Sequence, residues 1–242
     1  MELPKSKAVV SDLRFVQSVD STNQQLIREH QELPDFSVLV AASQTAGQGR
    51  SGRSWVSESG ASISLSVLLR PNFPQRSALV TFLMAASAHQ ALEKLIESDL
   101  LSIKWPNDLL VGERKLAGIL AGANPDGSVV VGIGINLSTQ STPDTAIALD
   151  ELATSDFDSV LASTLSRLKQ NWSRFQSDEP VDWLLQYVRD NCSTLGMTVR
   201  AELVTGDEIV GKAVDIQDDG QLVIWADREH VLAAADVWHL RK

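Results

Sequence analysis

Two short cationic stretches carry the side chains best suited to chemistry on an anion. Residues 45–55 read TAGQGRSGRSW and gather Gly47, Gly49, Gly52, Arg50 and Arg53 in a stretch without an acidic residue, while Lys104, Arg114 and Lys115 fall within twelve residues of one another. Glycines leave backbone N–H groups open to a ligand, and guanidinium forks match phosphate and carboxylate oxygens. Gly47, Gly52, Arg53 and Ser54 even keep the spacing of a P-loop, with arginine in place of lysine. A P-loop must open a helix whose N–H groups face the phosphates. Here no helical period begins until Gln75, and the intervening segment alternates like a strand, so the stretch reads as strand, loop, strand. A second glycine pair, Gly132 and Gly134 in GIGIN, lacks the third glycine of the dinucleotide fingerprint and has no helix behind it. It reads as a strand that another segment or a ligand approaches closely.

KWPND sets Lys104, Asn107 and Asp108 at a proline turn, where side chains are held; taken alone it is a turn after an edge strand. Lys115 opens the apolar run KLAGIL, placing a cation at the edge of a hydrophobic groove, although a strand-end lysine also serves solubility. One cysteine, Cys192, and four scattered histidines exclude an intramolecular disulfide and a His/Cys zinc site, and leave Cys192 as a buried structural thiol. No Ser-His-Asp or Cys-His set stands out.

These residues need a scaffold. A strand over 13–19 leads to a helix over 21–33 capped by Asp20 or Ser21, then a strand over 37–43 enters the glycine-rich loop. After the loop, Ile63, Leu65, Val67 and Leu69 alternate with polar residues as in a half-buried strand. Apolar spacing over 75–98 predicts the longest helix of the chain. LLSIKWPNDLLV, KLAGILAGA and SVVVGIGINL read as three strands at a sheet's centre, separated by turns at Gly112 and at Asn124-Pro125-Asp126-Gly127. A polar loop over 138–148 precedes helices at about 156–176 and 181–194. After Gly196 five short strands, TVRAELV, EIVGKAVDI, GQLVIWA, HVLAAA and VWHLR, imply a small barrel-like second domain. The expectation is an α+β fold with a mixed or antiparallel sheet flanked by helices over residues 1–194 and a small β-barrel over 195–242.

With 242 residues and a net charge of −10, the chain suits a small anion held locally rather than nucleic acid wrapped over a basic face. No apolar run reaches the ~20 residues that span a bilayer and no leader pattern opens the chain, so a cytoplasmic protein is expected. The first strand begins too early to leave room for an N-terminal DNA-reading domain.

Taken together, S-T-N (Ser21, Thr22, Asn23), Q-T-x-G-x-G-R-x-G-R-x-W (residues 44–55), K-W-P-N-D (104–108), K-L-A-G-I-L (115–120) and G-I-G-I-N (132–136) strongly resemble the biotin protein ligases in order and spacing. The likeness runs from about residue 14 into GKAVDIQDDGQLVI, which is similar to the family's closing barrel, and fits the short class without a DNA-binding repressor domain. The resemblance implies a class II aminoacyl-tRNA synthetase-like catalytic domain with a C-terminal SH3-like barrel. It also implies that biotin and MgATP form biotinyl-5′-AMP, from which a lysine of the biotin carboxyl carrier domain of an acyl-CoA carboxylase takes the biotin. A homodimer is compatible with it.

By the same resemblance, Ser21, Thr22, Asn23, Gln44, Gly47, Gln48, Arg50, Lys115 and Gly118 bind biotin. Arg50, Arg53, Trp55, Lys104, Asn107, Lys115 and Asn136 bind ATP or the adenylate. Arg50, Lys104, Lys115 and Asp108 serve catalysis, the cations by stabilising charge at the α-phosphate and Asp108 by orienting or deprotonating the incoming lysine or by organising its turn. Mg2+ would come on the ATP phosphates, with no protein ligand. The loop is expected to close over the adenylate. Gln48 stands where the family usually has the first arginine of G-R-G-R. A lipoate ligase or octanoyl transferase, and a non-catalytic biotin or nucleotide sensor, are the alternative readings.

Overall fold

The computed structural model describes residues 1–240 apart from 56–58, 98, 144, 204 and 205. The predicted strand and helix ends at Ser98, Val204 and Arg241, and Asp144 of the predicted loop, lie outside the described residues.

Seven strands form the main sheet: β1 (Arg14–Val19), β2 (Ser37–Gln44), β3 (Ser62–Leu69), β4 (Leu101–Lys104), β5 (Asp108–Val111), β6 (Arg114–Ala123) and β7 (Val129–Asn136). Their order is β1-β2-β3-β7-β6-β5-β4. β1 and β2 run parallel and every other pair is antiparallel, so the sheet is mixed, as expected. β6 and β7 lie centrally. The predicted strand LLSIKWPNDLLV is instead two: the turn at Trp105, Pro106 and Asn107 breaks it into a hairpin, and β4 is the sheet's edge rather than its centre.

One face of the sheet carries the core. Ile63, Leu65 and Val67 of β3, Ile133 and Ile135 of β7 and Ile119 of β6 pack with residues of α3 (Val80–Leu92), α4 (Phe157–Phe175) and α5 (Asp182–Asp190). α3 is buried on nearly all sides, which explains why its apolar residues do not form a narrow stripe. The predicted helix over 75–98 is shorter than expected: Pro74–Leu79 is a 3-10 segment, α3 ends at Leu92, and α4, with 19 residues, is the longest described helix. α5 likewise stops at Asp190 rather than at 194.

Among the described helices, α2 (Thr22–Glu29) covers the other face, its Leu26 joining Leu39, Leu68 and Val130 in a small separate core. Burying such leucines contributes about 2 kcal/mol each. Ser21, not Asp20, caps α2, accepting from Gln24 N at 3.5 Å. Asp20 instead pairs with Arg28 at 2.8 Å, which holds its carboxyl at about 2. With eight residues α2 cannot cover the sheet, and the uncovered part of this face becomes a cavity. β3 is therefore buried along its whole length rather than half-buried: its serine face lies under α2 and the cavity walls, not in solvent.

A helix that the sequence pattern did not reveal, α1 (Pro4–Val9), docks on α4. Six residues are too few for a period to show. Its opening N–H groups find the buried carboxylate of Asp158, which accepts from Lys5 N at 2.8 Å and Ser6 N at 3.0 Å.

The last five strands, β8 (Thr198–Glu202), β9 (Glu208–Ile216), β10 (Leu222–Trp225), β11 (Glu229–Leu232) and β12 (Asp236–His239), form an antiparallel sheet ordered β11-β10-β9-β8-β12. The indole of the buried Trp105 donates to Gly220 O at 3.0 Å, and Thr194 Oγ1 lies 3.1 Å from His239 Nε2. The turn that carries Lys104, Asn107 and Asp108 is thus braced by the second sheet.

Candidate active site

The cavity, of about 530 Å³, lies beside α2 on the thinly covered face. Its floor is a cross-strand row of small residues: Ser64 of β3 pairs with Gly134 of β7, Gly134 with Gly118 of β6, and Gly118 with Asp108 of β5. Glycine is needed because the indole of Trp55 rests on this row. A Cβ on Gly134 would stand 2.2 Å from Trp55 Cε2, and one on Gly118 would stand 3.2 Å from Trp55 Cζ3. Trp55 Nε1 is buried and, among the described residues, has no hydrogen-bond partner.

At one end the cavity is neutral and closely bonded. The start of α2 brings Ser21, Thr22 and Asn23, all below 9% exposure, against the end of β2. Gln44 Oε1 accepts from Thr22 N at 2.7 Å, and Asn23 Nδ2 donates to Leu120 O at 2.9 Å. Ser66, fully buried behind them, has its Oγ 2.7 Å from Thr22 Oγ1 and 2.5 Å from Asn23 Oδ1. Gly132 completes this end, since a Cβ there would lie 2.2 Å from Asn23 Oδ1.

At the other end stand the cations. Lys115 Nζ is 2.6 Å from Asp108 Oδ1 and 5.8 Å from the Trp55 ring centre. Lys104 pairs in register with Asp108 across the β4–β5 hairpin, and burial holds its ammonium pKa below the ordinary lysine value. Arg50 donates to Asn107 Oδ1 at 3.4 Å and Ala235 O at 3.2 Å; burial again lowers its pKa, opposed by the charges of Asp236 and Asp108. Arg53 reaches Asp236 Oδ1 at 2.7 Å. The arginine-bearing loop therefore leans on the second sheet.

The loop is a tight excursion between β2 and β3. Gly49 N donates to Arg53 O at 2.6 Å and Trp55 N to Gly47 O at 2.9 Å, around a 3-10 turn at Arg50–Gly52 in which Ser51 (φ 54°) and Gly52 (φ 72°) are left-handed. Gln48 is exposed at the rim of the cavity and accepts from Gln24 Nε2 at 3.2 Å, so its amide ties the loop to α2.

Of the residues expected at a site, Ser21, Thr22, Asn23, Gln44, Gln48, Arg50, Arg53, Trp55, Lys104, Asn107, Asp108, Lys115, Gly118 and Asn136 all line this cavity. Gly47 does not; it is buried at the base of the loop, where a Cβ would be 2.5 Å from Trp55 O. Arg114, grouped with the lysines by spacing, pairs with Glu151 at 2.8 Å outside the cavity lining. Asn136 uses its amide to bridge Lys115 O and Ile147 O, each at 3.2 Å, which draws Ile147 and the neighbouring Ala146 to the cavity wall. Ser66 and Asp236 were missed by sequence reasoning. The serines at 62, 64 and 66 were visible as the polar positions of β3, but their meaning depends on Gly132 and Gly134 lying beside them. Asp236 carries no local signal at all, because only tertiary packing brings β12 to the loop.

A family model described as the biotin/lipoate A/B protein ligase family matches residues 15–139. The biotin–[acetyl-CoA-carboxylase] ligase of Mycobacterium tuberculosis is 34% identical, with 95% of this chain and 89% of that protein covered. The bifunctional ligase/repressor BirA of Bacillus spizizenii is 32% identical over 86% of this chain and 68% of its own length. Among solved structures, a biotin protein ligase from Aquifex aeolicus in complex with biotin and ATP matches with a TM-score of 0.80 at 28% identity, over 95% of this chain and 99% of that one. The chain belongs to the biotin/lipoate A/B protein ligase family.

Proposed function

We propose that this chain activates biotin with ATP and transfers it to a lysine of a biotin carboxyl carrier domain of an acyl-CoA carboxylase. The observation that carries the reading is a single cavity with a buried neutral hydrogen-bonding end and an end that gathers Arg50, Arg53, Lys104 and Lys115. The first suits an uncharged bicyclic ring, the second a triphosphate. In this reading the ring of biotin lies against Ser21, Thr22, Asn23, Gln44 and Gly118, with the Gly47–Gln48 backbone closing over it. The valeryl chain runs along the floor toward Lys115. There the carboxylate attacks the α-phosphorus, pyrophosphate leaves, and the cations offset the charge that gathers on the oxygens. Trp55 leaves the floor to cover the ligand, while Asn107 and Asn136 border the nucleotide.

In the second step the carrier lysine's amine attacks the acyl carbon and AMP departs. Asp108, already paired to Lys115, holds that ammonium in place and is the carboxylate that receives the amine's proton or orients the amine. Among the described residues there is no cluster of three metal-binding side chains. Mg2+ would enter on the phosphates, shielding their charge.

The finer architecture belongs to the same proposal: residues 1–194 as a class II aminoacyl-tRNA synthetase-like catalytic domain, and 195–242 as an SH3-like barrel. Cytoplasmic location and a homodimer are part of it. Among the described residues no helix is long and apolar enough to cross a membrane.

Incubation with labelled biotin, MgATP and a carrier domain, repeated with lipoate, tests the function. Label on the carrier lysine from biotin alone is expected; transfer of lipoate but not biotin would overturn the assignment.

A further inference from the structure

We propose that Ser66, which does not line the cavity, sets the direction of the Thr22 hydroxyl and so makes the neutral end require an N–H donor from its ligand. This rests on the reading of that end as the biotin-ring subsite. Three short oxygen contacts meet there: Thr22 Oγ1 to Gln44 Oε1 at 3.1 Å, Thr22 Oγ1 to Ser66 Oγ at 2.7 Å, and Ser66 Oγ to Asn23 Oδ1 at 2.5 Å. Only two protons, one per hydroxyl, are available to fill them.

Both amides are fixed by other partners. Asn23 Nδ2 donates to Leu120 O at 2.9 Å, which turns Oδ1 toward Ser66, and Gln44 Oε1 already accepts from Thr22 N at 2.7 Å. Two bare oxygens cannot rest 2.5 Å apart, so the Ser66 proton lies toward Asn23 Oδ1. Ser66 Oγ can then only accept from Thr22, whose proton goes there rather than to the longer, already satisfied Gln44 contact. Thr22 is 3% exposed and lines the cavity. It therefore presents lone pairs without a proton. A buried acceptor left unpaired is costly, so a ring bearing N–H groups is admitted and a dithiolane or alkyl chain is disfavoured. Ser66 acts here as a positioning residue.

The test pairs a change in the protein with a change in the ligand. The native chain, Ser66→Ala and Ser66→Cys are titrated calorimetrically with biotin and with the two analogues in which one ureido N–H is replaced by oxygen. For one analogue the native chain should lose about tenfold in affinity. In Ser66→Ala that penalty should shrink at least about threefold, because the freed Thr22 hydroxyl can turn and donate to the ring oxygen. Ser66→Cys, a weaker donor of similar size, should fall between, and decides the matter if Ser66→Ala does not fold. An equal penalty in native and variant chains, however weakly each binds, would mark Ser66 as structural only and overturn the proposal. So would the absence of any penalty in the native chain. Failure of the native chain to bind biotin at all would instead sink the functional reading, and this assignment with it.

Discussion

The two ends of the cavity are built on opposite principles. At the neutral end the polar groups fix one another's orientation before any ligand arrives, with Ser21, Thr22 and Asn23 below 9% exposure and Ser66 fully buried behind them. At the cationic end the charges are held by stand-in anions, Asp108 against Lys115 and Asp236 against Arg53, and the Arg53 side chain is 63% exposed. A preorganised neutral end selects, because a ligand that fails to complete its bonds leaves buried groups unpaired. At the cationic end an exposed pair such as Arg53–Asp236 is worth only about 0–1 kcal/mol, so an arriving triphosphate would displace it at little cost. Selectivity and charge stabilisation are thus separated along one groove.

That division can be broken by substitution. Lys115→Ala removes a cation beside the proposed reacting atoms and should lower biotin-dependent pyrophosphate exchange by about a hundredfold to a thousandfold; undiminished exchange would remove Lys115 from the mechanism. Gly132→Ala acts at the other end, where its Cβ would stand 2.2 Å from Asn23 Oδ1. Displacing Asn23 should weaken biotin binding about tenfold, lower Tm by roughly 4 °C and leave ATP binding nearly unchanged, as calorimetry and thermal unfolding would read.

How far the site could be read in advance follows the same division. S-T-N, KWPND and both loop arginines are local words whose residue types already imply their chemistry, and the structure gathers them around one cavity. The mixed sheet was equally legible from its alternating strands and turn glycines. Three features were not. α1 is too short to show a period, the Trp-Pro turn splits what reads as one apolar strand, and β3 looks half-buried because nothing local announces that its serines face α2 and Gly132. Asp236 and Ser66 gain their meaning only from segments distant in the chain.

Smaller effects sharpen the picture of the cationic end. Burial lowers the Lys104 pKa below the ordinary lysine value of 10.5, so its charge is lost as pH rises through that lowered value. The kcat/KM for ATP should show an alkaline fall that begins below pH 10.5 and moves upward in Lys104→Arg; a profile identical in the two proteins would show that Lys104 does not control it. Asp236→Asn frees Arg53 from its stand-in partner and should lower the KM for ATP about twofold. A raised KM would mean that Asp236 assists the nucleotide instead.

The most direct test of the account mixes the native chain with biotin and MgATP in the absence of any carrier, then recovers the protein by rapid gel filtration and weighs the small molecule it retains by mass spectrometry. Biotinyl-5′-AMP held by the native chain, and absent when Lys115→Ala is treated in the same way, is the predicted result. Recovery of unreacted biotin alone, or equal amounts of adenylate from both proteins, would contradict it.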